Sequence, residues 1–248
     1  ADLKTFSALG VYGTSVVTAL TAQSTQGVTG VHVVPTELVT QQLQTLVADV
    51  RLHAIKIGML ANADIIGAVG DFLLHQDHVD HVVLDPVMVA TSGDQLLDDD
   101  AVQAMRELMP LASLITPNLA EAAALLDTRP ARNLADMRRQ ATALQELGAP
   151  RLLIKGGHRD DGREALDLLL DVDSEALLRA PWVDTVNTHG TGCTLSSALA
   201  ALRPQRDSWL EAAFDAKIWL TAALAAADVL EIGHGHGPVH HFHQIWSH

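Results

Sequence analysis

The feature that most constrains this chain is an alternation that repeats along its whole length. Short apolar runs at residues 15–22, 54–58, 81–84, 113–116 and 151–154 alternate with longer segments of helical period. Val39, Leu43, Leu46 and Val50 share one helical face, and Ile65, Ile66, Val69 and Leu73 share another. Strands that alternate with helices predict a mostly parallel sheet covered by helices on both faces, a three-layer α/β/α sandwich. Thr36 after Pro35 and Asn62 are placed to cap the second and third helices. Further helices are expected at about 98–109, after Asn118, at 133–147 and at about 208–230. Extended runs are expected at 164–172 and 176–183, with a turn at Asp160-Asp-Gly-Arg163. Residues 24–35 read as irregular or as a short flap.

In an open α/β sheet, ligands bind outside the carboxyl ends of the strands. Read off in order, those ends carry Gln23, Met59, Asp85, Asn118 with Glu121 close behind, Lys155, and the turn at 190–193. One polar or special residue per strand end is a stronger signal than any single motif.

The turn is the most distinctive stretch. Gly190 and Gly192 bracket Thr191, Cys193 follows, and Leu195, Ala198, Leu199 and Leu202 then fall on one helical face. A glycine turn therefore feeds a helix N-terminus, whose first N–H groups lack internal partners and attract anions. It is neither a Walker loop, since no Gly-Lys-Ser/Thr is present, nor a dinucleotide fingerprint, since the third glycine is missing. An ordinary small-residue helix start with a buried cysteine is the plain alternative.

Each group has a chemical use. Asp85 and Glu121 can hold Mg²⁺, directly or through water. Lys155, followed by two glycines, can neutralise a transferring phosphate. The 190–193 turn can donate N–H groups to developing charge. Metal, cation, anion hole and a positioned hydroxyl are the parts of phosphoryl transfer. For Cys193, the helix N-terminus and the neighbouring N–H groups predict a lowered thiol pKa, and bound phosphates oppose this. A mixed protonation state is expected.

Composition narrows the classes. The 248 residues are 48% hydrophobic and 19% charged, which suits one globular domain over 1–248. The net charge of −14 argues against a nucleic-acid partner, because no basic field attracts phosphates at range. No apolar run approaches the roughly 18 residues that span a membrane. A single cysteine forms no internal disulfide, which fits a reducing cytoplasm.

Together, Asp85-Pro-Val-Met, Ser92-Gly-Asp, Ile115-Thr-Pro-Asn-Leu-Ala-Glu121, Lys155-Gly-Gly-His158 and Asn187-Thr-His-Gly-Thr-Gly-Cys193 resemble the hydroxymethylpyrimidine/phosphomethylpyrimidine kinases of thiamine biosynthesis. These belong to the ribokinase-like superfamily. The resemblance runs from Asp2-Leu-Lys-Thr-Phe to Gly235-His-Gly-Pro-Val-His-His-Phe-His243. It implies a ribokinase-like fold, ATP and Mg²⁺ as cofactors, a cytoplasmic homodimer, and two successive phosphorylations of 4-amino-5-hydroxymethyl-2-methylpyrimidine. It further implies that Gln23 and Met59 contact the pyrimidine and that Asp2 and Val87 line its pocket. Asn118, Lys155, Thr191 and Gly192 would bind the nucleotide. Cys193 would take the place of the superfamily's usual catalytic aspartate, with Lys155, Gly190 and Gly192 beside it. Family members begin with a strand and a glycine-rich loop ahead of the opening helix, so residues preceding Ala1 are expected. A pyridoxal kinase of the same superfamily and a non-catalytic ligand-binding protein on this fold are the alternatives. Gln23 favours the first reading over pyridoxal, since an amide can pair with an aminopyrimidine edge.

Six of the 13 histidines lie in residues 234–248. A solvated or packed tail is expected there rather than a metal site. His158 and His189 read as loop hydrogen-bonding residues or proton carriers. The apolar face of the last helix reads as core or dimer packing.

Overall fold

A computed structural model describes residues 1–76, 79–88, 99–157 and 164–246. The chain opens with α1 (Asp2–Ala8), β1 (Ala19–Ser24), β2 (Gly27–Val33) and α2 (Thr36–Val47). Next come β3 (Ile55–Ile57), α3 (Ala63–Leu73), β4 (Val82–Leu84), α4 (Asp99–Leu108) and β5 (Leu114–Ile115). Then follow α5 (Leu119–Leu126), α6 (Leu134–Glu146), β6 (Leu152–Lys155), β7 (Glu164–Leu170) and β8 (Glu175–Pro181). The chain finishes with α7 (Thr191–Leu202) and α8 (Trp209–Ala225).

The central sheet runs in the order β3-β4-β5-β6-β7-β8. β3 to β6 are parallel, and β7 returns antiparallel to both β6 and β8. The period of two along each strand divides the core between two faces. Val82, Leu84, Ile115, Leu152, Ile154 and Leu168 pack with residues of α2 to α6. Val83, Leu114, Leu153 and Leu169 point the other way, onto α7 and α8, with Phe6 and Ala8 of α1 at the margin. Each fully buried Leu or Ile contributes about 1.5–3 kcal/mol. Strands buried on both faces explain the near-continuous apolar runs in the sequence. The three-layer α/β/α sandwich with a mostly parallel sheet is the observed architecture.

Three local expectations are corrected. The run at 15–22 is not a strand of the central sheet. Its second half enters β1, which pairs antiparallel with β2 in a separate two-stranded sheet. Residues 24–35 are therefore mostly strand. The cause is tertiary: Thr25, in the hairpin turn, accepts from His236 N at 2.9 Å through its carbonyl and from Gly235 N at 3.2 Å through its hydroxyl. Second, Thr36 is the first helical residue of α2, with Pro35 as N-cap and no side-chain cap. Asn62 does cap α3, accepting from Ile65 N. Third, α8 ends at Ala225, and a short 3₁₀ turn covers Ala227–Leu230. The turn expected at 160–163 lies outside the described residues, while the extended runs on either side of residue 173 are β7 and β8.

The C-terminal tail is buried at Gly237 and Val239–His241 and exposed at His234, His236 and residues 244–246. His240 and His241 are buried, and His241 Nε2 lies 3.1 Å from Thr194 Oγ1 on α7. Burial pushes the His241 imidazole down to about 4, so it is neutral at pH 7. Among the described residues no cluster of His, Cys, Asp or Glu has metal-binding geometry.

Candidate active site

Three parallel strands and two helix starts deliver the site. β4 ends at Leu84, so Asp85 leaves the sheet at its carboxyl edge, with its N–H bonded to Ile57 O at 2.9 Å. β5 ends at Ile115, and Thr116-Pro-Asn leads into α5. Asn118 Oδ1 accepts from Glu121 N at 2.8 Å, and Glu121 Oε2 accepts from Asn118 N at 2.7 Å. This reciprocal capping box fixes the Glu121 side chain over the start of α5. β6 ends at Lys155, whose N–H reaches Pro117 O at 2.8 Å.

Lys155 Nζ lies 2.7 Å from Asp85 Oδ1 and 3.8 Å from Glu121 Oε2. Asp85 is 1% exposed and also accepts from Thr116 Oγ1 at 3.2 Å and Ser196 Oγ at 3.1 Å. Gly190, at φ +79°, turns the chain into α7 in a backbone region that favours glycine. A Cβ on Gly192 would stand 3.3 Å from Lys155 Nζ and 3.9 Å from Asp85 Oδ2. The amino end of α7 thus faces the lysine and Asp85. The N–H groups of Gly192 and Cys193 belong to the first turn, which has no intrahelical acceptors. Thr191 is turned back, with Oγ1 donating to Thr188 O at 2.6 Å.

A second cation, Lys56, was not singled out from the sequence. It sits on β3 with its side chain 4% exposed, and Nζ donates to Asp2 Oδ2 at 2.9 Å. Asp2 Oδ1 accepts from Ser197 Oγ at 2.9 Å, one helical turn beyond Cys193 on α7. A charge inside an apolar strand is costly unless paired, so Ile55-Lys-Ile-Gly58 held a readable signal. Ser196 and Thr116, which complete the shell of Asp85, were equally passed over.

These neighbours set the charges. Burial opposes the Asp85 carboxylate, but Lys155 and Lys56, with hydrogen bonds from Lys155 and Ser196, outweigh it and hold Asp85 below the usual range. Burial pushes Glu121 up to about 7; Lys155 works against that shift and Asp85 adds to it. Burial opposes both ammonium groups, yet the surrounding anionic groups keep Lys56 and Lys155 above their ordinary value. Burial also pushes the Cys193 thiol up, against the partial relief that Lys56 supplies. This corrects the lowered pKa expected from the helix N-terminus: withdrawal from water dominates, and the resting thiol is protonated at pH 7.

Of the residues singled out from the sequence, Asp85, Asn118, Glu121, Lys155, Gly190, Gly192 and Cys193 converge. Asp2 joins them through Lys56. Met59 follows β3, its carbonyl accepting from Thr18 Oγ1 at 2.7 Å, and Val87 follows Asp85, with its N–H bonded to Asp85 O at 2.8 Å. Gln23 does not stand at a central strand end. It lies exposed on β1, with its Oε1 accepting from Thr21 Oγ1 at 3.3 Å. His158 and Ser92-Gly-Asp94 lie outside the described residues. A groove between α2 and α3, lined by Glu37, Asp64, Asp71 and His75 among others, shares no residue with this cluster.

A divalent cation is accommodated best through its waters. The oxygens of Asp85 are taken up by protein donors, and Glu121 Oε2 is bonded to Asn118 N. Such carboxylates suit a hydrated Mg²⁺ that arrives on a polyphosphate better than a cage of direct ligands.

The chain is similar to known kinases over nearly its whole length. It is 54% identical to the hydroxymethylpyrimidine/phosphomethylpyrimidine kinase of Salmonella typhimurium over 247 residues, covering 99% of this chain and 92% of that protein. Among solved structures, an ADP complex of Bacillus subtilis pyridoxal kinase superposes with TM-score 0.89 at 32% identity, over 99% of this chain and 92% of that one. A phosphomethylpyrimidine kinase from Clostridium difficile gives TM-score 0.77 at 36% identity, over 90% and 91%. The family pattern itself matches residues 1–240, and the chain belongs to the phosphomethylpyrimidine kinase family.

Proposed function

We propose that this enzyme uses ATP to phosphorylate hydroxymethylpyrimidine and then its monophosphate, as a step of thiamine biosynthesis. The observation that carries the reading is Lys155, held between Asp85 and Glu121 and facing the first turn of α7. That is a cation and an anion hole converging on one point.

In this reading residues 1–248 act as one catalytic domain. Lys155 and the N–H groups of Gly192 and Cys193 stabilise charge on the transferred group, with Gly190 shaping the turn. Asn118 and Thr191 border the nucleotide. Asp85 and Glu121 would hold Mg²⁺, which would supply positive charge to screen the phosphates. Asp2, Met59, Val87 and Gln23 border the pyrimidine, with the β1–β2 hairpin bringing Gln23 over the ring. Cys193 faces the hydroxymethyl group. Its protonated resting state cannot take the hydroxyl proton, so at pH 7 its contribution is to orient the hydroxyl, and it acts as a base only in the minor thiolate fraction.

The reading extends to a cytoplasmic homodimer. Among the described residues no helix is long and apolar enough to cross a membrane. Leu210, Phe214 and Ile218 stand exposed at helical spacing on α8, an apolar stripe suited to a second copy. The pyridoxal kinase neighbour keeps a second acceptor in view. Incubation with ATP, Mg²⁺ and each of hydroxymethylpyrimidine, its phosphate and pyridoxal, with products weighed by mass spectrometry, tests the assignment. Mono- and diphosphorylated pyrimidine are expected. Phosphorylation of pyridoxal alone contradicts it.

A further inference from the structure

Lys155 lies on the side of the site given to the nucleotide, against Asp85 and Glu121. Lys56 lies on the other side. It precedes Gly58 and Met59, the strand end given to the pyrimidine, and its ammonium folds back so that a Cβ on Gly58 would meet Nζ at 2.6 Å. The Asp2 and Asp85 carboxylates act on it, and so does Cys193 when ionised. Asp2 and Ser197 hold it over the face of α7 that carries Cys193. An ammonium has three donors. Among the described residues, one hydrogen bond, to Asp2, accounts for one of them.

The two proposed turnovers differ in what they ask of this spot. The first acceptor is a neutral alcohol, which must lose a proton. The second is a phosphate monoester carrying about −1.5 to −2 charge at pH 7. One of its oxygens attacks the γ-phosphorus of ATP, the bond to the β,γ-bridging oxygen breaks, and ADP leaves with that electron pair. No base is needed when the attacking oxygen is already ionised. A local cation is needed instead, because the new dianion must lie beside Asp2, Asp85 and the ATP phosphates in a chain of net charge −14.

We propose that Lys56 is the residue that binds the acceptor phosphate in the second phosphorylation, so that it sets the preference for the monophosphate over the alcohol. Asp2 is its partner when that phosphate is absent. This rests on the function proposed above.

The test is the ratio of kcat/KM for the monophosphate to kcat/KM for hydroxymethylpyrimidine, measured on the full chain with ATP and Mg²⁺. Lys56→Met lowers that ratio by about 10- to 100-fold, the worth of a charge-assisted hydrogen bond. Asp2→Asn removes a competing carboxylate and moves the ratio the other way, by a few-fold. Equal losses on both acceptors in Lys56→Met overturn the proposal, since a cation serving only Cys193 or the fold gives that pattern. If Lys56→Met does not fold, Asp2→Asn decides: a ratio that is unchanged or lowered overturns the proposal. A wild type that converts the alcohol but not the monophosphate refutes this inference and the second step of the functional reading, and leaves the first step standing. One that converts neither refutes the functional reading with it.

Discussion

Glu121→Gln isolates the electrostatic cost that the fold accepts at this site. Glutamine keeps the volume and an oxygen that can accept from Asn118 N, so the capping box survives. What disappears is a buried carboxyl whose pKa rises from its ordinary 4.5 to about 7. Because the folded pKa is the higher one, the folded protein binds this proton more tightly than the unfolded chain. Glu121 is neutral for stability below pH 4.5, and its cost grows as pH rises from there through 7. At about 1.4 kcal/mol per pH unit, the full cost above pH 7 is on the order of 3 kcal/mol. At pH 5 it has fallen to about 1 kcal/mol. Urea unfolding of wild type and variant at pH 5 and pH 8, without nucleotide, measures the difference. The variant is expected to gain about 2 kcal/mol on wild type between the two pH values. Titrating groups other than Lys155 and Asp85, which interact with Glu121, cancel in that comparison. A stability difference that is the same at both pH values refutes the reasoning.

Cys193→Ala is expected to retain fold and substrate binding while kcat for the alcohol falls about 10²–10⁴-fold. Cys193→Asp should stay active and lose the rise in rate that wild type shows above about pH 9, where the raised thiol begins to ionise, whereas a profile identical to wild type removes Cys193 as the titrating group. Gly192→Ala places a methyl 3.3 Å from Lys155 Nζ; a fall in kcat with an unchanged melting temperature is expected, and wild-type kinetics would show that this face is not used. Gln23→Leu should weaken pyrimidine binding by roughly 1–3 kcal/mol with ATP affinity unchanged, as calorimetry can establish.

The elements legible in the sequence are those whose causes are local. β4 and β6 announce themselves by apolar runs that end at a charge, and Asn62 and Asn118 by an amide ahead of an apolar helix. The alignment of Asp85, Glu121, Lys155 and the α7 turn follows from parallel topology, which the alternation already implies. Contacts across long stretches of chain were not legible. Thr25 meets the tail more than 200 residues away, and this tie helps draw β1 into its own hairpin and away from the central sheet. Lys56 is tolerable inside β3 only because Asp2, 54 residues earlier, turns to meet it. For Cys193 the helix terminus was visible, but the depth of burial that outweighs it depends on how α1, β3 and α7 pack.

In the proposed function Lys155 serves the phosphate in flight rather than the pyrimidine at rest. Single-turnover phosphorylation of hydroxymethylpyrimidine by Lys155→Ala, with pyrimidine affinity measured separately, tests it directly. Asp85 keeps Lys56, Thr116 and Ser196 as partners in that variant. The account predicts a rate lowered by about 10²–10³-fold, with the pyrimidine Kd within about threefold of wild type. A single-turnover rate close to wild type, or a loss confined to pyrimidine binding, contradicts it.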